Sequence, residues 1–321
     1  MQRSKKHIQI ILGVILGLIA FSGFAQQDAQ YTQYMYNTLS INPAYAGSRG
    51  MFSFTGMYRN QWLGLDGAPE SQTLNFHTPI RDSKVGIGLS VINDQLGNGV
   101  NQETFIDAAV SYTVRTGYEG KLSFGLNAGA SLLNIDFTKL NQYDNVEFTE
   151  ESNIDNRFSP NIGAGIYYHT PKFYVGFSVP DILETQYFQE SDNGNTDVSS
   201  YIAKERVNYY LMGGYVYEID YRWMFKPAVL TKFVSGAPLQ VDISANFMYD
   251  QKVTFGLGYR LDAAVTALFA FQINESLGLG LAYDREITSL GQTQFNSGTI
   301  EFFLRYELSR SFRRVTTPRF F

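Results

Sequence analysis

The sequence predicts an all-β fold, a transmembrane antiparallel β-barrel of about 14 strands that follows an N-terminal periplasmic or plug segment. After residue 25 no run of about 18 apolar residues occurs, so no membrane-spanning helix is expected. Apolar and polar residues instead alternate with a period of two over segments of about 9–14 residues, which are long enough to cross a bilayer while tilted. The links between these segments are alternately short and longer, as in outer-membrane barrels.

The composition narrows the class of protein. Only 17% of the 321 residues are charged, below the roughly one quarter of an ordinary soluble domain. The chain has no Cys, which excludes disulfides, thiolate metal sites and cysteine nucleophiles. The net charge of −5 argues against a nucleic-acid partner, because phosphate contacts need clustered Lys and Arg.

The N-terminus has the pattern of a secretory signal peptide, which we place at residues 1–25. A basic start with Arg3, Lys5 and Lys6 precedes the apolar stretch 8–21. Small residues follow at Gly23 and Ala25, the two positions that determine cleavage. The mature chain is then predicted to begin at Gln26. We expect it to be located in the outer membrane, with both termini in the periplasm.

The mature chain divides into three parts. Residues 26–50 lack the alternation and form the periplasmic or plug segment, residues 51–308 form the barrel, and residues 309–321 are a basic tail. The alternation is clear in 239–249, where Leu, Val, Ile, Ala, Phe and Tyr share one face. Strands are predicted near 51–61, 70–80, 84–93, 103–116, 120–133, 157–170, 172–180, 205–218, 223–234, 239–250, 252–261, 263–273, 277–287 and 297–308.

A soluble β-sandwich would give the same alternation, with the apolar face as its core. The long strands, the signal peptide and aromatic residues near strand ends favour the membrane barrel, whose apolar face contacts outer-membrane lipids. The loops near 133–156 and 181–204 are long and acidic. They are either solvated loops or a contact site for a secreted partner or for cations.

The opposite face of the predicted strands carries charges that point into the lumen. Opposed charges inside a barrel can pair with each other, hold a plug, or contact cargo. The candidates for cargo or plug contact are Arg59, Asp107, Asp242, Arg260, Glu301, Arg305 and Glu307.

No set of catalytic residues is recognisable in the sequence. His77 and His169 are on different predicted strands, and no metal-ligand spacing or Gly-x-Ser-x-Gly turn occurs. The glycines alternate at period two within strands, which indicates close packing inside the barrel rather than a phosphate-binding loop. We therefore expect no enzyme activity, no catalytic or metal site and no cofactor.

The segment before the first strand contains a distinctive turn. Asn42-Pro43-Ala44-Tyr45-Ala46-Gly47 combines Asn, a Pro that fixes φ and a Gly that accepts positive φ. With Gln61 and Trp62 after the first strand, this motif resembles the opening of the PorP/SprF family of type IX secretion outer-membrane proteins in Bacteroidota. The resemblance continues through the glycine-rich strands, whereas the basic tail is longer than the family pattern.

The resemblance implies a non-enzymatic barrel that supports protein secretion and, in gliding bacteria, delivery or anchoring of surface adhesins. Its implied partners are the C-terminal domain of a secreted surface protein and periplasmic type IX secretion components. The family motif in this chain is Asn42, Pro43, Ala44, Tyr45, Gly47, Gln61 and Trp62. The alternative is a porin or hydrophobic-compound transport channel in which the N-terminal segment is a hatch.

Overall fold

The structure is a closed antiparallel β-barrel. A computed structural model of the chain describes residues 31–142, 153–183, 206–288, 291 and 296–308. The strands are β1 (Phe52–Asn60), β2 (Glu70–Pro79), β3 (Val85–Leu96), β4 (Asn101–Thr116), β5 (Gly120–Ile135), β6 (Ile154–His169), β7 (Phe173–Val179), β8 (Asn208–Tyr215), β9 (Tyr217–Glu218), β10 (Trp223–Val234), β11 (Gln240–Tyr249), β12 (Val253–Arg260), β13 (Ala264–Gln272), β14 (Leu277–Glu286) and β15 (Thr299–Leu308).

Each strand pairs with its neighbours in sequence, and β1 pairs with β15 to close the sheet. The short β9 continues β8 beyond Val216, and both pair with β10, so the barrel wall has 14 strands. Closure leaves no free first or last edge. A sheet in hydrocarbon requires this, because each unpaired backbone group there costs several kcal/mol. The predicted fold class is confirmed.

The strand bounds differ from the predicted ones mainly at β6 and at β8. β6 begins at Ile154, three residues before the predicted start, because Ile154 pairs with Ile135 beyond an irregularity in the β5 ladder. The predicted strand 205–218 is interrupted at Val216, whose N–H donates to the carbonyl of Lys172 in the preceding turn at 2.6 Å. Alternation locates strands but does not reveal such local departures.

The two faces of the wall have opposite character. Outward side chains are apolar and remain exposed, such as Leu257 at 68% and Leu126 at 67%. Inward side chains are small or polar and buried, such as Ser123, Thr73 and Ser178. An apolar outer band around a polar interior is the arrangement of transmembrane barrels. Within the described ranges, no helix is long and apolar enough to cross a membrane.

The connections distinguish the two ends of the barrel. At the turn end, β2–β3, β4–β5, β6–β7, β9–β10, β11–β12 and β13–β14 are joined by a few residues each. The loop end carries the longer connections, among them the one that contains a 3-10 helix at Phe137–Gln142. Gly50 and Leu308, which flank the barrel in sequence, both lie at the turn end.

The outward face generates a depth-dependent prediction. Leu257→Arg should lower the free energy of unfolding by about 2–4 kcal/mol, because the charge would face hydrocarbon at mid-strand. Leu261→Arg is the control, since Leu261 follows the end of β12 and the same charge near the interface should cost about 0–1 kcal/mol. Urea titration of the refolded barrel in lipid vesicles measures both values. Equal costs would contradict the assigned depth.

Candidate functional site: an occupied lumen

The lumen is occupied by residues 31–50 of the chain, here called the inner segment. Most of its side chains are buried, and Gln33, Asn37, Asn42 and Ala44 are completely so. The segment contains one helical turn, α1 (Thr38–Ile41), and a 3-10 helix at Pro43–Tyr45. It runs from the loop-end half of the lumen, where Thr32 contacts Glu301, to the turn end, where Arg49 contacts Glu307.

Local chemistry fixes the turn of the motif. The Asn42 carboxamide oxygen accepts a hydrogen bond from the Ala44 N–H at 3.0 Å, and Pro43 occupies the first position of the 3-10 helix. Both features stabilise a helix start, because the first N–H groups of a helix lack internal partners. Gly47 then adopts a φ of +69°, a value that residues with a Cβ rarely adopt.

Glycines in the wall let this turn approach the strands closely. A Cβ on Gly125 of β5 would overlap the backbone nitrogen of Ala44, and one on Gly165 of β6 would overlap the Asn42 carboxamide oxygen. On Gly86 of β3 it would overlap the carbonyl oxygen of Ala46. The glycines of β3 and β5 therefore pack against the backbone of the inner segment, and the glycine of β6 packs against the side chain of Asn42.

Polar groups of the wall satisfy the backbone and side chains of the motif. Ser178 donates to the carbonyl of Ile41 at 2.8 Å, and Ser111 donates to the carbonyl of Ala46 at 2.7 Å. Asn42 donates to the carbonyl of Ile166 at 3.1 Å. These partners matter because an unpaired polar group in a dry interior costs about 1–3 kcal/mol. Small inward-facing hydroxyls were the sequence signal for these residues, but their partners could not be read from it.

A first charged cluster holds the start of the inner segment. The Glu301 carboxylate accepts hydrogen bonds from the backbone N–H groups of Thr32 at 2.6 Å and Gln33 at 2.8 Å. Arg59 forms an ion pair with the same carboxylate, and its Nη1 is 3.4 Å from Asp284 Oδ2. The candidate residues Arg59 and Glu301, which the sequence places on inward faces, thus both contact the inner segment or its partners.

A second charged cluster holds the end of the inner segment. Arg49 donates from Nε and Nη2 to the two oxygens of Glu307, at 2.6 and 2.8 Å, in a two-point ion pair. Arg305 lies beside this pair, 4.0 Å from Glu307, and its guanidinium is 5.7 Å from the ring centre of Tyr36. Tyr36 stacks on Phe303 with ring centres 3.6 Å apart.

The remaining candidate residues contact the wall. Arg260 Nε donates to Asp242 Oδ1 at 2.7 Å near the loop end, between β11 and β12. Asp107 accepts a hydrogen bond from the Asn127 carboxamide at 3.2 Å. Gln61 and Trp62 lie in the β1–β2 connection at the loop end, where the indole N–H of Trp62 donates to Glu286 at 2.5 Å. The two halves of the sequence motif are therefore not brought together.

The space beside the central part of the inner segment is small. Between its central part and the wall from β6 to β10 lies a cavity of about 10 Å³, bordered by Tyr34, Thr38, Tyr167 and Lys226. Such a volume holds about one water molecule. Tyr45 packs edge-on against Tyr167, with ring centres 5.4 Å apart, on the same side of the segment. Among the described residues, no three His, Asp or Glu side chains are grouped to hold a metal ion.

The comparison that decides the family covers both the inner segment and the barrel. Residues 23–306 match the family model described as type IX secretion system membrane protein PorP/SprF. The chain belongs to the PorP/SprF family. The family and the barrel fold indicate a protein of the bacterial outer membrane, in contact with its lipids.

Solved outer-membrane barrels are similar in fold only. The Acinetobacter baumannii protein Omp33 is 9% identical, with 80% of this chain and 98% of that chain covered and a TM-score of 0.45. The Ralstonia pickettii toluene transporter TbuX is 13% identical, with coverages of 84% and 92% and a TM-score of 0.47. A Pseudomonas aeruginosa FadL homologue is 12% identical, with coverages of 85% and 94% and a TM-score of 0.45. No curated protein matches the chain.

The glycine contacts generate a prediction about stability. Gly125→Ala should lower the free energy of unfolding by about 1–3 kcal/mol, because the new methyl group has to displace the backbone of Ala44. Gly56→Ala on β1 is the control, since a Cβ there meets only side-chain atoms at 3.6 Å or more. That change should stay within about 0.5 kcal/mol in the same urea titration. Equal effects of the two substitutions would contradict tight docking of the motif.

The Arg49–Glu307 pair generates a prediction about access to the lumen. Because the chain has no Cys, a Thr38→Cys variant carries a single thiol beside the small cavity. Adding Arg49→Met should speed its labelling by a maleimide at least about tenfold, because breaking a buried ion pair costs several times the 1.4 kcal/mol of a tenfold change. Lys252→Met, which removes an exposed pair with Asp250, should leave the labelling rate unchanged. Equal labelling rates in both variants would contradict a role of the Arg49–Glu307 pair in holding the inner segment in place.

Proposed function

We propose that this PorP/SprF protein is a non-enzymatic component of the type IX secretion system that acts by binding protein partners. In this proposal it supports secretion and surface delivery or anchoring of cargo, such as gliding adhesins. It binds the C-terminal domain of the cargo and contacts periplasmic secretion components. Family membership supports the secretion role, and the occupied lumen supports binding as the way the barrel acts.

The occupied lumen is the observation that carries this proposal. A diffusion pore needs a continuous water-filled path, as in the 16- to 18-stranded porins. Here the inner segment lies along the centre of a 14-strand barrel, and the cavity beside its central part has a volume of only about 10 Å³. Glu301 and Glu307 hold its two ends through four hydrogen bonds, from the backbone of Thr32 and Gln33 and from the side chain of Arg49. Rapid passage of solutes is therefore not the expected activity.

The loop-end mouth is the proposed contact site for cargo. Asp242 and Arg260 pair there at 2.7 Å, with side chains 15% and 10% exposed, and neither residue is needed for the ion pairs that hold the inner segment. A peptide that excludes water from this mouth would strengthen hydrogen bonds to these groups. Of the acidic loop residues, Asp155 and Asp181 are described, while 143–152 and 184–205 lie outside the described residues.

We further propose that the turn end faces the periplasm. Gly50 and Leu308 both lie there, which supports periplasmic termini for the barrel region, and short turns face the periplasm in known outer-membrane barrels. The predicted signal peptide 1–25 and the basic tail 309–321 lie outside the described residues. Their roles in export, and in any contact with secretion components, are part of the proposal.

The competing function is transport of a small or hydrophobic compound. The specific observation in its favour is that the inner segment has the position of a hatch, held at one end by the Arg49–Glu307 ion pair and at the other by hydrogen bonds to Glu301. In that case the barrel would pass solutes after the hatch moves, and it would need no stable protein partner.

Affinity capture of the tagged protein from native outer membranes in mild detergent, followed by mass spectrometry, separates the two functions. We expect recovery of a secreted surface protein together with periplasmic secretion components. Asp242→Asn combined with Arg260→Gln should reduce cargo recovery severalfold, because the hydrogen bonds that these residues make to cargo would no longer involve charged groups. Replacing both residues together leaves no buried charge without its partner. The matched control is Asp136→Asn combined with Lys139→Gln, an exposed pair at the same end of the barrel.

Recovery of the barrel alone, with ready diffusion of small solutes into liposomes that contain it, would reject the secretion role and support the transport channel. Equal cargo recovery from the two double variants would retain the secretion role but reject the proposed contact at Asp242 and Arg260.

A further inference from the structure

A second, much larger cavity opens at the turn end of the barrel, below the motif turn. Its volume is about 570 Å³, within the range of about 300–1,000 Å³ that is typical of ligand pockets. Ala46, Gly47 and Ser48 of the inner segment form its floor, and residues at the turn ends of β2 to β6 form its wall. The ion pairs and the loop-end contact site described above do not use this space.

The wall of the cavity is basic. Arg115 of β4 is directly opposite Lys121 of β5, and Lys121 is opposite His169 of β6, so three basic side chains follow one another across the sheet. Lys84 also borders the cavity, but it is opposite Thr113 rather than Arg115, and its Nζ lies 5.9 Å from the ring centre of the outward-facing Tyr112. Asp82 is the one carboxylate among the described lining residues. The chain as a whole has a net charge of −5, so this cavity reverses the overall sign.

The position of the cavity restricts what can enter it. Arg115, Lys121 and His169 belong to the inward-facing rows of their strands, whereas neighbours such as Phe124 face the lipid. A lipid head group would therefore have to leave the bilayer surface and turn into the barrel mouth. The cavity also extends from the basic row to Pro79 at the turn end of β2, which is more than a single small anion can cover.

We propose that this cavity binds an acidic segment of a polypeptide that enters from the turn end. Its carboxylates would pair with Arg115 and Lys121, while its backbone passes over Gly47 and Ser48. Arg115 can bind a carboxylate through two parallel hydrogen bonds, and Lys121 adds charge from an adjustable side chain. The inference rests on the proposed function only for the origin of the peptide, since a turn end in the periplasm would present this cavity to periplasmic secretion components.

Fluorescence anisotropy on the full-length barrel in mild detergent tests the proposal. The probe is a labelled peptide of Asp and Gly residues, and the matched peptide has Asn in place of each Asp. We expect the Asp peptide to bind at least about tenfold more tightly than the Asn peptide. Arg115→Gln combined with Lys121→Gln should weaken the Asp peptide by about tenfold or more, since two charge-assisted contacts are lost.

Two further variants make the test specific. Lys252→Gln removes an exposed cation at the same end of the barrel but outside the cavity, and it should leave the affinity unchanged. Asp82→Asn removes a negative charge from the lining and should tighten binding severalfold, because a like charge disfavours an acidic ligand. Thermal unfolding of each variant, followed by circular dichroism, confirms that the barrel is folded before affinities are compared.

Equal affinities for the Asp and Asn peptides would overturn the proposal. It would also be overturned if the Arg115 and Lys121 double variant and Lys252→Gln lost the same affinity for the Asp peptide. Binding of inorganic phosphate with the same dependence on the variants, but without peptide binding, would overturn it in favour of a small-anion site. Peptide binding with no secretion component captured from native membranes would reject the proposed function and retain this site. Capture of those components without peptide binding would retain the proposed function and reject this site.

Discussion

The contact between the turn Asn42 to Ala46 and the glycines of β3, β5 and β6 is the constraint on which the rest of the lumen depends. Backbone groups can enter a protein interior only if they find hydrogen-bond partners and enough space. Gly125 and Gly165 provide the space, while Ser111 and Ser178 provide partners for the carbonyls of Ala46 and Ile41. A methyl group at either glycine would displace the turn. Arg49 would then lose its alignment with Glu307, and the backbone N–H groups of Thr32 and Gln33 would lose theirs with Glu301.

The charged clusters take a different role from the glycine contacts. A buried ion pair contributes little net stability relative to apolar packing, but it strongly disfavours arrangements that leave one partner alone. Glu301 meets two backbone N–H groups as well as Arg59, and Glu307 meets two nitrogens of Arg49. A shift of the inner segment by one residue would separate Glu307 from Arg49 and remove the two backbone N–H partners of Glu301. The clusters therefore determine the register of the segment, whereas the glycines determine how closely it docks.

The sequence predicts the barrel better than it predicts the lumen. A period of two identifies which residues of β1 or β15 face inward, so Arg59 and Glu301 could be assigned to the lumen from the pattern alone. The pattern does not identify partners, because Thr32 and Glu301 are 269 residues apart and meet only through closure of β1 on β15. The helical turn at Thr38–Ile41 is also beyond the pattern. Four residues without a side-chain cap do not form a stable helix alone, and this turn depends on contacts with the wall.

The inner segment extends between the two ends of the lumen. The inner segment borders the basic cavity through Gly47 and Ser48, and Arg49 follows immediately with its ion pair to Glu307. At the other end, Arg59 connects Glu301 to Asp284, which accepts a hydrogen bond from Thr266 of β13 at 2.8 Å. A ligand that moved Gly47 would have to break or carry with it the Arg49 pair, because the chain between them has no slack. In a tightly packed interior such a shift is passed along the segment rather than absorbed locally. One segment of about twenty residues thus extends from the turn-end cavity to the contact with Glu301 in the loop-end half of the lumen.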